Sequence, residues 1–223
     1  MERREFLALS AGGIGALAWH LSSPGVSAEP AVSGGGKVQR RVYLTFDDGP
    51  GKATRKVRDI LDKHQVPGTF FVVGTMAQHA PSLLGAMSRD GHSIQNHSWS
   101  HPYLTRIPNP RRELKLCSDL IADATGKAPR FFRPPYGDSN AKVKAAGKSL
   151  GMDQIMWNLS ATPPLAHERP AWRFSRRIDE VLEKSPYIWV LFHDGSGKAD
   201  KMAFYLPAAI NSLRQRGFEF DAM

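Results

Sequence analysis

Asp47 and Asp48 stand side by side at the end of a strand-like run, Val42-Tyr43-Leu44-Thr45-Phe46, and a Gly49-Pro50 turn follows at once. Two adjacent carboxylates closing a buried, β-branched and aromatic strand cost desolvation and mutual repulsion, unless a cation or a proton in transit uses them. Alone, an Asp-Asp-Gly stretch reads equally well as a turn. Further along, His97 and His101 are spaced i, i+4, which on a helical turn points both imidazoles to one side. Two histidines with one carboxylate make a common catalytic zinc set, leaving a position open for water. Arg133-Pro134-Pro135-Tyr136 and Leu191-Phe192-His193-Asp194 complete the series, each at the end of a predicted strand.

In this order the four stretches resemble the polysaccharide deacetylase family, the metal-dependent deacetylases that share a domain with the rhizobial chitooligosaccharide deacetylases. The resemblance runs from about Arg41 to the C-terminus. It implies an α/β fold, an irregular (β/α) barrel of about seven parallel strands with outer helices. It also implies one divalent metal held by Asp48, His97 and His101, with zinc first and cobalt or nickel as alternatives. Asp47 matches the general base that takes a proton from the attacking water, and Arg133 the arginine that orients this base. As a fixed cation, Arg133 also holds the carboxylate ionised. Tyr136 matches the residue whose backbone N–H helps stabilise a tetrahedral oxyanion. His193 matches the general acid, which an amine leaving group requires. The implied partner is an N-acetylated glycan, with peptidoglycan, chitin-like oligomers and exopolysaccharide all open.

One part of the family pattern is missing. After the fifth strand, relatives usually carry an aspartate, often followed by tryptophan, that pairs with the acid histidine. Here Trp157-Asn158-Leu159-Ser160-Ala161-Thr162-Pro163-Pro164 has no carboxylate, and Glu168 lies just beyond. Trp157 and Trp172 read either as sugar-stacking groups or as core. Asp194 reads as the cap of the turn formed with Gly195-Ser196-Gly197.

Alternating strand-like and helix-like stretches must position these groups. Strands are expected at Val42–Phe46, Thr69–Val73, His92–Asn96, Phe131–Arg133, Asp153–Trp157, Ile188–Phe192 and Phe218–Phe220. Helical spacing recurs at Val57, Ile60 and Leu61, at Leu83, Leu84 and Met87, at Leu116, Cys117, Leu120 and Ile121, and at Ile178, Val181 and Leu182. Asn109-Pro110 reads as an N-cap with proline at the first helical position, and Gly126 as the matching stop. Repeated strand–helix units argue for a parallel sheet covered by helices. In barrels of this kind the catalytic groups come from the C-terminal ends of strands, where all four stretches sit.

The 223 residues, 41% of them hydrophobic, suit one domain with a substantial core. The net charge of +9 is scattered, with no basic patch interleaved with aromatics, so a nucleic-acid partner is not expected. Attraction to anionic envelope polymers fits the charge equally well.

Residues 1–28 have the make-up of an export signal: Arg3-Arg4-Glu5-Phe6-Leu7, an apolar stretch to Trp19, and Val26-Ser27-Ala28 as a small-residue cleavage site. Arg-Arg-x-Phe-Leu also looks like the twin-arginine signal, and an ordinary secretory signal is the other reading. The apolar part is shorter than the ~20 residues that span a bilayer, so no membrane anchor is expected after its removal. Either route ends in the periplasm or outside the cell. Residues 29–40, with Ser33-Gly34-Gly35-Gly36, read as a flexible linker, and residues 41–223 as the catalytic domain. Cys117 reads as a core thiol. A small- or cyclic-amide hydrolase on the same fold, and a non-catalytic glycan-binding relative, are the competing functions.

Overall fold

The computed structural model describes residues 40–161, 177–195, 197 and 199–223. The expected signal, almost all of the linker, Glu168 and Trp172 lie outside the described residues.

Seven strands follow one another across a curled, all-parallel half-barrel in the order β5-β4-β3-β2-β1-β7-β6, and an eighth pairs with β1. They are β1 (Arg41–Asp47), β2 (Thr69–Val72), β3 (Ser93–Asn96), β4 (Phe131–Phe132), β5 (Asp153–Gln154), β6 (Leu159–Ser160), β7 (Tyr187–His193) and β8 (Glu219–Asp221). The expected barrel of parallel strands is therefore present, and all seven expected strands appear. β6 is the addition: two residues beside a proline-rich stretch carry too short a pattern to read.

β1 lies at the middle of the sheet. Its whole length, Arg41 to Asp47, pairs with Tyr187 to His193 of β7, so Asp47 lies directly beside His193. On its other edge β2 takes Thr45–Asp47 and β8 takes Arg41–Tyr43. Alternation along the strands divides two cores. Val42, Leu44, Phe46, Ile188, Val190 and Phe192 point outward into the main core, under the helices. Thr45, Asp47 and His193, at the alternate positions, turn toward the barrel interior, where Phe71, Phe131 and Ile155 form a small cluster backed by Trp189.

The outer layer contains α1 (Thr54–Lys63), α2 (Gly74–Ala77), α3 (Pro81–Arg89), α4 (Pro110–Thr125), α5 (Ala141–Lys148), the described part of α6 (residues 177–182) and α7 (Ala199–Gln215). Val57 and Leu61 of α1, Leu83, Leu84 and Met87 of α3, and Cys117 and Ile121 of α4 are buried as their spacing requires. Leu116 is the exception, 37% exposed on the outer side of α4. Asn109 caps α4 by accepting the Arg112 N–H at 3.1 Å, Pro110 opens it, and Gly126 closes it at φ 71°. Cys117 donates to the Val72 carbonyl at 3.3 Å, and burial pushes its thiol pKa up to about 12.

Candidate active site

The groups singled out from the sequence come together at the C-terminal ends of β1, β3, β4 and β7. Asp48 Oδ1 lies 3.1 Å from His101 Nε2 and 3.5 Å from His97 Nε2, and one ligand atom from each of the three lies within 4.8 Å of the others. The second nitrogen of His97 explains its aim. Its Nδ1–H donates to the Arg133 carbonyl at 2.7 Å, so a neutral ring would present its lone pair at Nε2. That lone pair faces a carboxylate oxygen. Two acceptors set against each other call for positive charge between them, as a proton on the ring or as a metal ion. Burial alone would raise the Asp48 pKa; hydrogen bonds and charge from His101 and His97 outweigh it and hold the carboxylate far below its ordinary range. This donor set fits a divalent metal with an open coordination position.

His97 and His101 do not lie on a helical turn as the i, i+4 spacing suggested. The stretch is a loop, and left-handed backbone at Ser98 (φ 69°) and His101 (φ 60°) folds the second ring back onto the first, 5.0 Å away. Side chains hold the loop in that shape. Asn96 Oδ1 accepts the Ser98 N–H at 2.8 Å, and Ser98 Oγ accepts the His101 N–H at 3.0 Å. Glu113, in the first turn of α4, accepts the N–H groups of Trp99 and Ser100 at 3.1 and 2.8 Å. Neither Asn96 nor Glu113 was singled out from the sequence. Asn96 directly precedes His97 at a strand end, and that adjacency was the available signal.

Arg133 fills the barrel interior beside this cluster and is fully buried. Nη1 donates to Asp47 Oδ1 at 2.8 Å and to Thr45 Oγ1 at 2.7 Å. Nη2 reaches the Met156 carbonyl at 3.0 Å, Nε the Ile155 carbonyl at 3.3 Å, and the plane lies 4.2 Å from the Phe71 ring. Burial pulls the guanidinium pKa down and Asp47 opposes that pull. A buried cation is tolerable only when so fully bonded, and the bonds fix Asp47 in one orientation. Asp47 Oδ2 is left facing the cluster, 3.8 Å from His97 Nε2.

His193 is half-buried at the tip of β7, close enough for its charge to act on Asp48. Among the described residues no hydrogen bond or ion pair reaches its ring. Tyr136 sits in left-handed backbone (φ 61°) with its ring 4.7 Å from that of His101. Trp157 is half-buried, 5.8 Å from the Arg133 guanidinium, and its ring edge would meet a side chain placed on Gly137.

Asp194 makes a contact that was not expected. Its expected turn includes Ser196, outside the described residues; what is described is a reach across to α1, where the Thr54 hydroxyl donates to Oδ2. Thr54 Oγ1 in turn accepts the Gly51 N–H at 2.7 Å. Asp194 is completely buried, burial pushes its pKa up to about 7, and its Oδ1 has no hydrogen-bond partner among the described residues. A side chain on Gly49 would strike this carboxylate, and one on Gly195 would fall on the Asp48 carbonyl. Gly195 demands glycine because the loop after β7 meets the Asp48 backbone, and Gly49 because the Asp194 carboxylate packs against it.

Fold and site together define a parallel (β/α) half-barrel with a candidate metal centre at the mouth of its strands. Residues 34–155 match the model of the polysaccharide deacetylase family. A chitooligosaccharide deacetylase of Bradyrhizobium sp. (strain ANU 289) is 35% identical over 200 residues, covering 82% of this chain and 89% of that protein. A peptidoglycan-N-acetylglucosamine deacetylase of Bacillus cereus is 30% identical over 199 residues, covering 84% and 70%. Among solved structures, a peptidoglycan N-acetylglucosamine deacetylase in complex with 4-naphthalen-1-yl-N-oxidanyl-benzamide superimposes with a TM-score of 0.72 at 29% identity, over 83% of this chain and 86% of that one. The chain belongs to the polysaccharide deacetylase family.

Proposed function

We propose that this protein is an exported hydrolase that removes N-acetyl groups from an N-acetylated glycan, using one divalent metal, zinc first, held by Asp48, His97 and His101. The convergence of these three ligand atoms beside an arginine-clamped Asp47 carries the reading. Relatives named as chitooligosaccharide and peptidoglycan deacetylases support the substrate class. When bound, the metal supplies a Lewis acid that polarises the amide carbonyl and acidifies water. Asp47, held by Arg133, accepts the proton of the attacking water at Oδ2. His193, on the adjacent strand end, delivers a proton to the departing amine. The Tyr136 backbone N–H stabilises the oxygen on which charge develops.

Acetate release from peptidoglycan, chitooligosaccharides and simple amides, measured on metal-reconstituted protein, tests the reaction. Release from glycans is expected. Turnover of simple amides alone would replace the glycan reading, and no turnover of any would point to a binding protein.

Export rests on Arg3-Arg4, the apolar stretch and Val26-Ser27-Ala28. N-terminal sequencing of protein from its native host is expected to begin at Glu29, outside the cytoplasm. An intact Met1 on cytoplasmic protein would refute that. Replacing Arg3-Arg4 by a lysine pair is expected to stall transport if the route is twin-arginine.

A further inference from the structure

Beside the candidate metal centre, four planar groups stack into a column. The Tyr136 ring meets His101 edge-on at 4.7 Å, Tyr103 lies nearly flat on Tyr136 at 4.1 Å with 16° between the planes, and the Arg106 guanidinium covers Tyr103 at 4.1 Å. Asp138 fastens the two turns that carry these groups. It follows the Tyr136 turn, and its Oδ2 accepts the Thr105 N–H at 3.0 Å and the Thr105 hydroxyl at 2.6 Å. Leu104, next to Tyr103, is fully buried and anchors the other turn. The column is ordered at its base and open at its sides, with Tyr136 57% and Tyr103 39% exposed.

Arg106, at the outer end, is exposed, and among the described residues its guanidinium makes no hydrogen bond or ion pair. Asp138 feels its charge but spends Oδ2 on Thr105. Stacking on Tyr103 restricts a long side chain before any ligand arrives, so little freedom remains to be lost on binding. The plane is held by its face, which leaves its N–H edge free. That edge matches a carboxylate, which accepts two parallel hydrogen bonds from one guanidinium. A neutral sugar draws no comparable gain from an exposed cation.

We propose that Arg106, on its two-tyrosine stack, is a subsite for a carboxylate borne by a sugar neighbouring the N-acetylated one, so that the preferred glycan is anionic. The inference deepens the deacetylase reading and rests on it for the placement of the acetamide at Asp48, His97 and His101. The column sets Arg106 beyond two tyrosine rings from His101, through successive contacts of 4.7, 4.1 and 4.1 Å. The net charge of +9 acts in the same direction by concentrating polyanions near the protein.

Three tetrasaccharides separate the sources of the carboxylate: neutral chitotetraose, alternating N-acetylglucosamine and N-acetylmuramic acid with its lactyl carboxylate free, and alternating N-acetylglucosamine and glucuronic acid. Their Kd values are measured by calorimetry on the metal-loaded full chain carrying Asp47→Asn to suppress turnover, with Arg106 intact, Arg106→Lys or Arg106→Ala. At least one carboxylated tetramer is expected to bind ~10-fold tighter than the neutral one, about 1.4 kcal/mol. That ratio should fall to about one in Arg106→Ala and to an intermediate value in Arg106→Lys, which keeps the charge without the planar fork. The tetramer that shows the effect identifies the carboxylate as lactyl or uronic. Equal binding of all three tetramers, or a preference that survives Arg106→Ala, would overturn the subsite. Acetate release by protein with Asp47 intact is read separately. An Arg106-dependent preference without acetate release would overturn the hydrolase and support the carboxylate subsite, whereas acetate release without preference would overturn the subsite alone.

Discussion

His97 is defined by what its far nitrogen does. With Nδ1–H committed to the Arg133 carbonyl, the neutral ring accepts at Nε2, and acceptance there is what a metal requires. His97→Ala is expected to abolish both metal retention and activity, read as metal per chain by atomic absorption and as acetate released. Full metal occupancy in that variant would remove His97 from the ligand set. Asp47 is expected to behave differently. Its Oδ1 belongs to Arg133, so Asp47→Asn should keep the metal yet lower kcat by ~100- to 10,000-fold. Near-normal turnover would send the proton elsewhere. At this scale much was legible: Asp47, Asp48, His97, His101, Arg133, Tyr136 and His193 all lie where their motifs placed them, at one barrel mouth. The supporting shell was not. Glu113 binds the histidine loop from a helix, and Asp194 holds Thr54 across the fold. No local pattern announces a contact between residues so far apart in the chain.

Among the elements, the loops after strands carry the unusual backbone. Asp48, Ser98, His101 and Tyr136 all have positive φ although none is glycine, and all four line the candidate site. Each such residue costs about 1 kcal/mol or more, and it persists because surrounding hydrogen bonds fix it. Gln65, at φ 53°, has a different origin. It follows α1 in a Schellman arrangement, with the Gln65 N–H on the Asp62 carbonyl and the Val66 N–H on the Leu61 carbonyl, both at 3.0 Å. Nothing functional touches it. Gln65→Gly is expected to stabilise the fold by ~0.5–1 kcal/mol, a rise in Tm of ~1–4 °C by calorimetry. An unchanged or lower Tm would show that Gln65 is not strained there. The caps of α4 were legible because Asn, Pro and Gly act locally. The curl of the 97–101 stretch was not, since i, i+4 spacing has the same appearance in a helix and in a loop folded back on itself.

For the molecule as a whole, acid sensitivity has a source away from the active site. His92 is buried just before β3, where Nδ1 accepts the Gly68 N–H at 3.1 Å and Nε2 faces Asp62 Oδ1 at 3.1 Å. Burial lowers its pKa, with Asp62 opposing. The folded protein therefore holds His92 neutral where the unfolded chain, with a pKa near 6.5, begins to bind a proton. The stability contributed is fully present above about pH 6.5 and is lost as pH falls below it. His92→Asn, which keeps an acceptor for Gly68, should reduce the drop in Tm between about pH 7.5 and about pH 5.5. A drop of unchanged size would place the acid-labile group elsewhere. The strand–helix alternation and parallel sheet were legible because buried strands and amphipathic helices have different periods. The closing of the sheet was legible only in part: Phe218–Phe220 marks β8, whereas β6 contributes two residues, too few for periodicity to show.

The position of β1 has a consequence for synthesis. It is the first of the described strands to leave the ribosome, yet the neighbour that covers its entire length is β7, and β8 covers Arg41–Tyr43 on its other edge. Until Tyr187–His193 has been translated, Asp47 has no His193 beside it, and Asp48 lacks the backbone contact from Gly195. A chain arrested between His101 and that strand carries both aspartates and both histidines of the candidate site but lacks His193 and the wall that confines them. A late-made part of the fold thus acts as a licence for the early-made part, and under the proposed mechanism a half-finished chain is expected to be catalytically silent.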